Sequence, residues 1–225
     1  MTFTKIEERY SGGSIKKLIH YYENEVDILR FEIQQDQKSE KRISLDYEPC
    51  FVRWADEMLL DAIINKSIPN RDNIISELAV RIRQLKDTDN FIHYFTEDGL
   101  REFVETGYLN NYPKDLIRSL TSEERLLLLD RMIADLEQGK DRFGIINRKY
   151  LKITRKLVLF ISDRIGIIFI LQNEQKQNRY IQIKEASICK VFIDYVQSMH
   201  DQEMVLSREE TRELLKKYRD LVRKE

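Results

Sequence analysis

The chain has 225 residues, 42% hydrophobic and 34% charged, with 38 basic against 39 acidic side chains and a net charge of −1. That length and apolar fraction exclude a disordered chain and allow a real buried core. Seven glycines and three prolines are too few for a turn-rich all-β fold or long flexible linkers, and balanced charge selects no partner by itself.

The N-terminus places Glu7 and Glu8 where a signal peptide needs an apolar run. The most apolar stretch, 157–171, is broken by Ser162-Asp163-Arg164, well short of the roughly 20 apolar residues that span a bilayer. Cys50 and Cys189 stand apart from each other and from other ligand types, which reads as two reduced, buried thiols. The expected compartment is the cytoplasm, with no membrane partner.

In chain order, Ser14 caps the first strong segment. Ile15, Ile19, Tyr22, Val26, Leu29 and Ile33 then recur at heptad spacing, predicting a helix over 14–36. Its stripe is read either as packing within the chain or as a dimer seam. A short strand is expected at Arg42–Asp46, then a helix from Pro49 to about Lys66 and another from Asn70 to about Lys86. A short helix is expected around Asp89–Tyr94. Thr96 caps a further helix that Gly107 ends, Gly being suited to the left-handed turn after a helix.

Thr121-Ser122-Glu123-Glu124 and Ser207-Arg208-Glu209-Glu210 are capping boxes, opening a helix that stops at Gly139 and the C-terminal helix. Between them, 143–147, 156–161, 165–171 and 180–184 are rich in Ile, Val and Phe and read as short strands pairing in antiparallel hairpins. Residues 186–199 are amphipathic and supply a helix for one face of that sheet. The expected fold is therefore α+β and predominantly helical. A helical region over 1–120 precedes an α+β module over 121–225, with a small antiparallel sheet of three or four strands flanked by helices.

Charge is unevenly placed. Residues 140–190 hold 12 basic against 4 acidic side chains, so this segment carries +8 and the rest of the chain −9. Arg142, Arg148, Lys149, Lys152, Arg155 and Lys156 are the candidate contacts for nucleic acid or an anionic ligand; the competing reading is neutralisation by acidic helices of the same chain. His20, His93 and His200 are isolated, each read as a surface or capping residue, so no metal site and no cofactor is expected. One catalytic pattern is present. Asp163 with Glu174 (or Gln182 on the strand) and Lys176 or Lys184 resembles the PD-(D/E)xK nuclease core, in which carboxylates hold Mg²⁺ and a lysine steadies the attacked phosphate.

Three regions resemble Gram-positive bacterial helix-turn-helix transcriptional regulators: Phe95-Thr96-Glu97-Asp98-Gly99-Leu100-Arg101-Glu102-Phe103-Val104-Glu105-Thr106-Gly107, Leu120-Thr121-Ser122-Glu123-Glu124-Arg125, and Arg179–Lys184 with the amphipathic helix and Ser207–Thr211. The resemblance covers roughly 90–225 and implies an effector or oligomerisation region. No helix-turn-helix reader is recognisable before residue 90, where 41–86 holds 8 basic against 7 acidic residues, a weak footprint for reading DNA. The expected function is a non-enzymatic, transcription-related regulator that binds a second copy, a ligand or another protein. The alternatives are the Mg²⁺-dependent nuclease and a structural or antagonist protein of mobile-element origin.

Overall fold

A computed structural model describes residues 3–10, 42–68, 70–86, 90–109, 116–140, 142–149, 157–162, 166–172 and 177–224. Its centre is one mixed sheet of β1 (Phe3–Tyr10), β2 (Arg42–Asp46), β3 (Phe91–Thr96), β4 (Phe143–Ile146), β5 (Leu157–Ser162), β6 (Gly166–Gln172) and β7 (Gln177–Ile183). The strand order is β1-β7-β6-β5-β2-β3-β4. β2, β3 and β4 run parallel, and the remaining neighbours are antiparallel.

This corrects the expected small antiparallel sheet of three or four strands behind a helical N-terminal region. Strands on both sides of residue 120 share the sheet, and β4 pairs in parallel with β3 instead of forming a hairpin with β5. The reason is the connection: a helical crossover between β3 and β4 returns the chain in the same direction, whereas the short turns after β5 and β6 reverse it. Only β5-β6-β7 is the expected meander.

The helices are α1 (Glu57–Ile63), α2 (Arg71–Lys86), α3 (Glu97–Thr106), α4 (Ser122–Glu137), α5 (Ala186–Asp201) and α6 (Arg208–Val222). The helix expected from Pro49 divides into a 3-10 turn at Phe51–Arg53 and α1. Asp56 makes the division, because its carboxylate accepts from the Leu59 N–H at 2.8 Å and so caps a fresh helix start. The short helix expected at Asp89–Tyr94 is instead β3. A parallel strand covered on both faces is apolar throughout, and Phe91-Ile92-His93-Tyr94-Phe95-Thr96 therefore shows no clean alternation.

Successive residues of the sheet feed two cores. Phe91, Phe95, Phe143 and Ile145 face α1–α4 and α6. Ile43, Leu45, Tyr94, Ile146, Leu159, Ile161 and Ile167 face α5, where Cys189, Val196 and Met199 meet them. Both crossovers step the same way along the sheet, which brings their helices to the same face. The outer edge of β4 is bridged at Ile146–Val205, with the Leu206 N–H donating to the Ile145 carbonyl at 2.9 Å. No helix among the described residues is long and apolar enough to cross a membrane.

Candidate functional site

Ligands of sheets with parallel strands commonly sit beyond the carboxyl ends of those strands. Here that end is occupied by the chain itself. The Tyr47 carbonyl, just past β2, accepts from the Thr96 N–H at 3.2 Å and the Thr96 hydroxyl at 2.6 Å. The Thr96 hydroxyl in turn accepts from the Gly99 N–H at 2.9 Å, capping α3. The Gly99 N–H in the first turn of α3 is thereby satisfied by a protein group.

The segments that carry the resemblance are joints of the fold. Gly107 closes α3 in the left-handed conformation at φ +68°, and its carbonyl accepts from the Leu120 N–H at 2.9 Å. Thr121 and Glu124 form the capping box of α4, as the sequence pattern indicates, and Ser207 and Glu210 form that of α6. Arg125 is buried at 6% exposure and donates to the Val104 carbonyl near the end of α3 and to the Ser122 hydroxyl. Arg118 holds the Glu124 carboxylate at 2.7 Å and pushes it below the usual carboxylate range.

A buried polar pair lies on the helix-covered face of β2 and β3. His93 is 1% exposed and 5.4 Å from the Phe95 ring, not the surface or capping residue expected. The Cys50 N–H donates to His93 Nε2 at 3.0 Å, which requires a lone pair there and assigns the proton to Nδ1. Nδ1–H then donates to the Ser44 hydroxyl. In this tautomer the Glu48 carbonyl, 3.3 Å from Nε2, is a contact without a shared proton. A nucleophilic serine needs an imidazole that accepts its proton, and this imidazole gives one. The pair is therefore a satisfied core contact. The available signal was positional: residue 93 shares its strand face with Phe91 and Phe95, both in the core.

The basic segment divides. Arg142, at 12% side-chain exposure, lies 3.9 Å from Asp135, which also holds Lys140 at 3.6 Å and accepts from the Trp54 indole at 3.0 Å. Arg142 thus serves the body of the protein. Arg148 and Lys149 are exposed in the turn after β4. Lys149 is also close enough to α6 for its charge to help hold the Glu210 carboxyl below its ordinary value, after the hydroxyl and backbone N–H of Ser207. Lys152, Arg155 and Lys156 lie outside the described residues, as do Asp163, Glu174 and Lys176.

Lys184 is exposed and follows β7 directly, at the end where Ile183 pairs with Ile167. Gln182 pairs with Ile168 within the strand. The seven residues of β6 stand in the chain between Asp163 and the Glu174/Lys176 pair, a strand of about 23 Å at the usual rise. No group of three or more His, Cys, Asp or Glu that could hold a metal occurs among the described residues. The stripe Ile15, Ile19, Tyr22, Val26, Leu29 and Ile33 lies outside the described residues.

One feature escaped the sequence reading. α5 lays Cys189, Val196 and Met199 on the sheet, while Val191 remains 65% exposed and Tyr195, one turn on, 47% exposed. Ile188 and Phe192 border them half-buried, and Phe192 meets the Phe169 ring edge-on at 6.0 Å. Val191 and Tyr195 recur at helical spacing with Ile188, Phe192 and Val196, so the pattern alone puts all five on one side; the helix is wider in apolar surface than the sheet it covers.

No family model matches the chain, and no curated protein or solved structure matches it.

Proposed function

We propose that this chain is a non-enzymatic cytoplasmic regulator, transcription-related and dimeric, whose C-terminal α+β part is the unit that binds a ligand or partner. One observation carries the reading. Segments separated in sequence that resemble the effector regions of bacterial regulators come together as consecutive joints of one body, from β3 through α3 and α4 to α6, with Leu128, Leu129, Met132, Leu215 and Tyr218 in a shared core. An effector unit needs such a rigid frame to carry a binding surface, and α5 presents apolar surface on the opposite side of the sheet. Of the six candidate basic contacts, Arg148 and Lys149 are the described ones exposed beyond β4, and they support nucleic-acid contact there.

The test is gel-shift binding to mixed double- and single-stranded DNA across a salt titration, with light scattering on the same sample. Salt-sensitive binding weakened by Arg148→Glu and Lys149→Glu supports nucleic-acid contact through this turn. A chain that binds no nucleic acid at low salt and is monomeric at every concentration overturns the regulator reading. The nuclease alternative turns on Asp163, Glu174 and Lys176, which lie outside the described residues.

A further inference from the structure

We infer that the exposed face of α5 is the surface on which a second copy of this chain docks, as an antiparallel helix pair about a two-fold axis. The inference rests on the dimeric part of the reading above and is independent of nucleic-acid contact.

The first ground is the distribution of exposed apolar side chains. Met58, Val80, Leu127 and Leu221 are exposed singly on four different helices, as is ordinary for a protein surface. Val191 and Tyr195 instead lie four residues apart on one helix and form a continuous ridge with half-buried Ile188. A tyrosine beside aliphatic neighbours is the composition of an interface centre.

The second ground is charge. On the flank of that ridge away from the sheet stand Lys190, Asp194 and Asp201, all exposed. Lys190 and Asp194 form no ion pair among the described residues, although they are four apart on one helix. The order Lys before Asp is the weaker orientation for such a pair, so each charge remains available to another molecule. In an antiparallel helix pair, each flank faces the same flank of its mate. Lys190 then meets Asp194 or Asp201 of the second copy, and the contact is made twice. A flank carrying both signs beside an apolar ridge can thus pair its lysine with a carboxylate of the second copy, as a two-fold interface requires.

The experiment is sedimentation velocity on the full chain over a dilution series, with thermal melts of each variant. The expected result is a reversible dimer whose Kd rises at least about tenfold in Val191→Asp and in Tyr195→Asp while the melting curves stay unchanged. Lys190→Asp alone weakens association, and Lys190→Asp with Asp194→Lys restores it. A wild-type chain that stays monomeric overturns the inference. So does a dimer indifferent to both ridge substitutions, and loss of that dimer on Ile19→Asp would assign it to the 14–36 stripe. Failure of DNA binding leaves this result untouched, so the two readings fail separately.

Discussion

Gly99 packs so closely on Tyr47 that a Cβ at position 99 would stand 1.8 Å from the Tyr47 carbonyl oxygen and 2.6 Å from its carbon. Both of those atoms are backbone, and they are pinned there because Thr96 donates to the same oxygen. In an exposed helix, Gly→Ala gains roughly 1 kcal/mol from propensity. Here the sign reverses. Gly99→Ala must part the end of β2 from the first turn of α3, and a loss of about 1–3 kcal/mol or more is expected in urea unfolding. A stabilised Gly99→Ala protein would refute the close approach.

The neighbouring joint makes a second prediction. Arg125 connects α4 to the Val104 carbonyl at the end of α3, and it does so from a buried position. Arg125→Met keeps the apolar stem but leaves that carbonyl without this donor; charged hydrogen bonds of this kind contribute roughly 1.5–3 kcal/mol. The unfolding midpoint falls accordingly. Arg125→Lys recovers only part, because a single ammonium cannot reach both Val104 and the Ser122 hydroxyl as the guanidinium fork does.

These joints also show what the sequence exposes and what it hides. Local chemistry is legible: Thr96, Gly107, Thr121 and Ser207 mark helix ends because caps are satisfied by atoms within three or four residues. Pairing across the chain is not. That β4 lies beside β3 depends on a crossover of more than forty residues, and nothing in Phe143–Ile146 states its neighbour. His93 is hidden for a related reason. Its partners Ser44 and Cys50 are 49 and 43 residues away, so its burial becomes visible only when β2 and β3 are side by side. The α5 ridge is hidden because a helix that packs with one apolar face and displays another has the same pattern as a helix with a wide buried face. Charge composition likewise makes Arg142 a candidate ligand contact, whereas Asp135, near the end of the helix just before β4, lies 3.9 Å from it.

Two titrations bracket the stable range. Glu124 has its carboxyl held low, chiefly by the hydrogen bond from Arg118. A group depressed in the folded state adds stability above its unfolded value, near 4.3, which is lost as pH falls through the folded value. Glu124→Gln should flatten the acid limb of a stability–pH curve. Tyr218 works in the other direction. Burial, reinforced by the Glu97 carboxylate, pushes its hydroxyl up to about 12. Its contribution is complete below the usual tyrosine value near 10 and disappears as pH rises toward about 12. Tyr218→Phe removes that alkaline loss and deletes a late-titrating phenol from a 295 nm absorbance titration. An alkaline limb identical in wild type and Tyr218→Phe would show that Tyr218 does not carry it.

The two thiols should separate by reactivity. Cys189 is 5% exposed, beneath α5 on the sheet, and burial pushes its thiol upward, which keeps the thiolate scarce at neutral pH. Cys50 is half-buried at the turn before the 3-10 segment. Alkylation of the native protein followed by mass spectrometry should modify Cys50 first, with Cys189 reacting only at the rate of local or global opening. Urea should then bring Cys189 up to the rate of Cys50 in parallel with unfolding. Equal labelling of the two in the native state would mean that α5 is not seated over Leu159, Ile161 and Ile167 as described. Because Val191 and Tyr195 point away from that contact, Val191→Asp should leave the Cys189 rate unchanged. Labelling therefore reports on the inner face of α5 separately from whatever docks on its outer one.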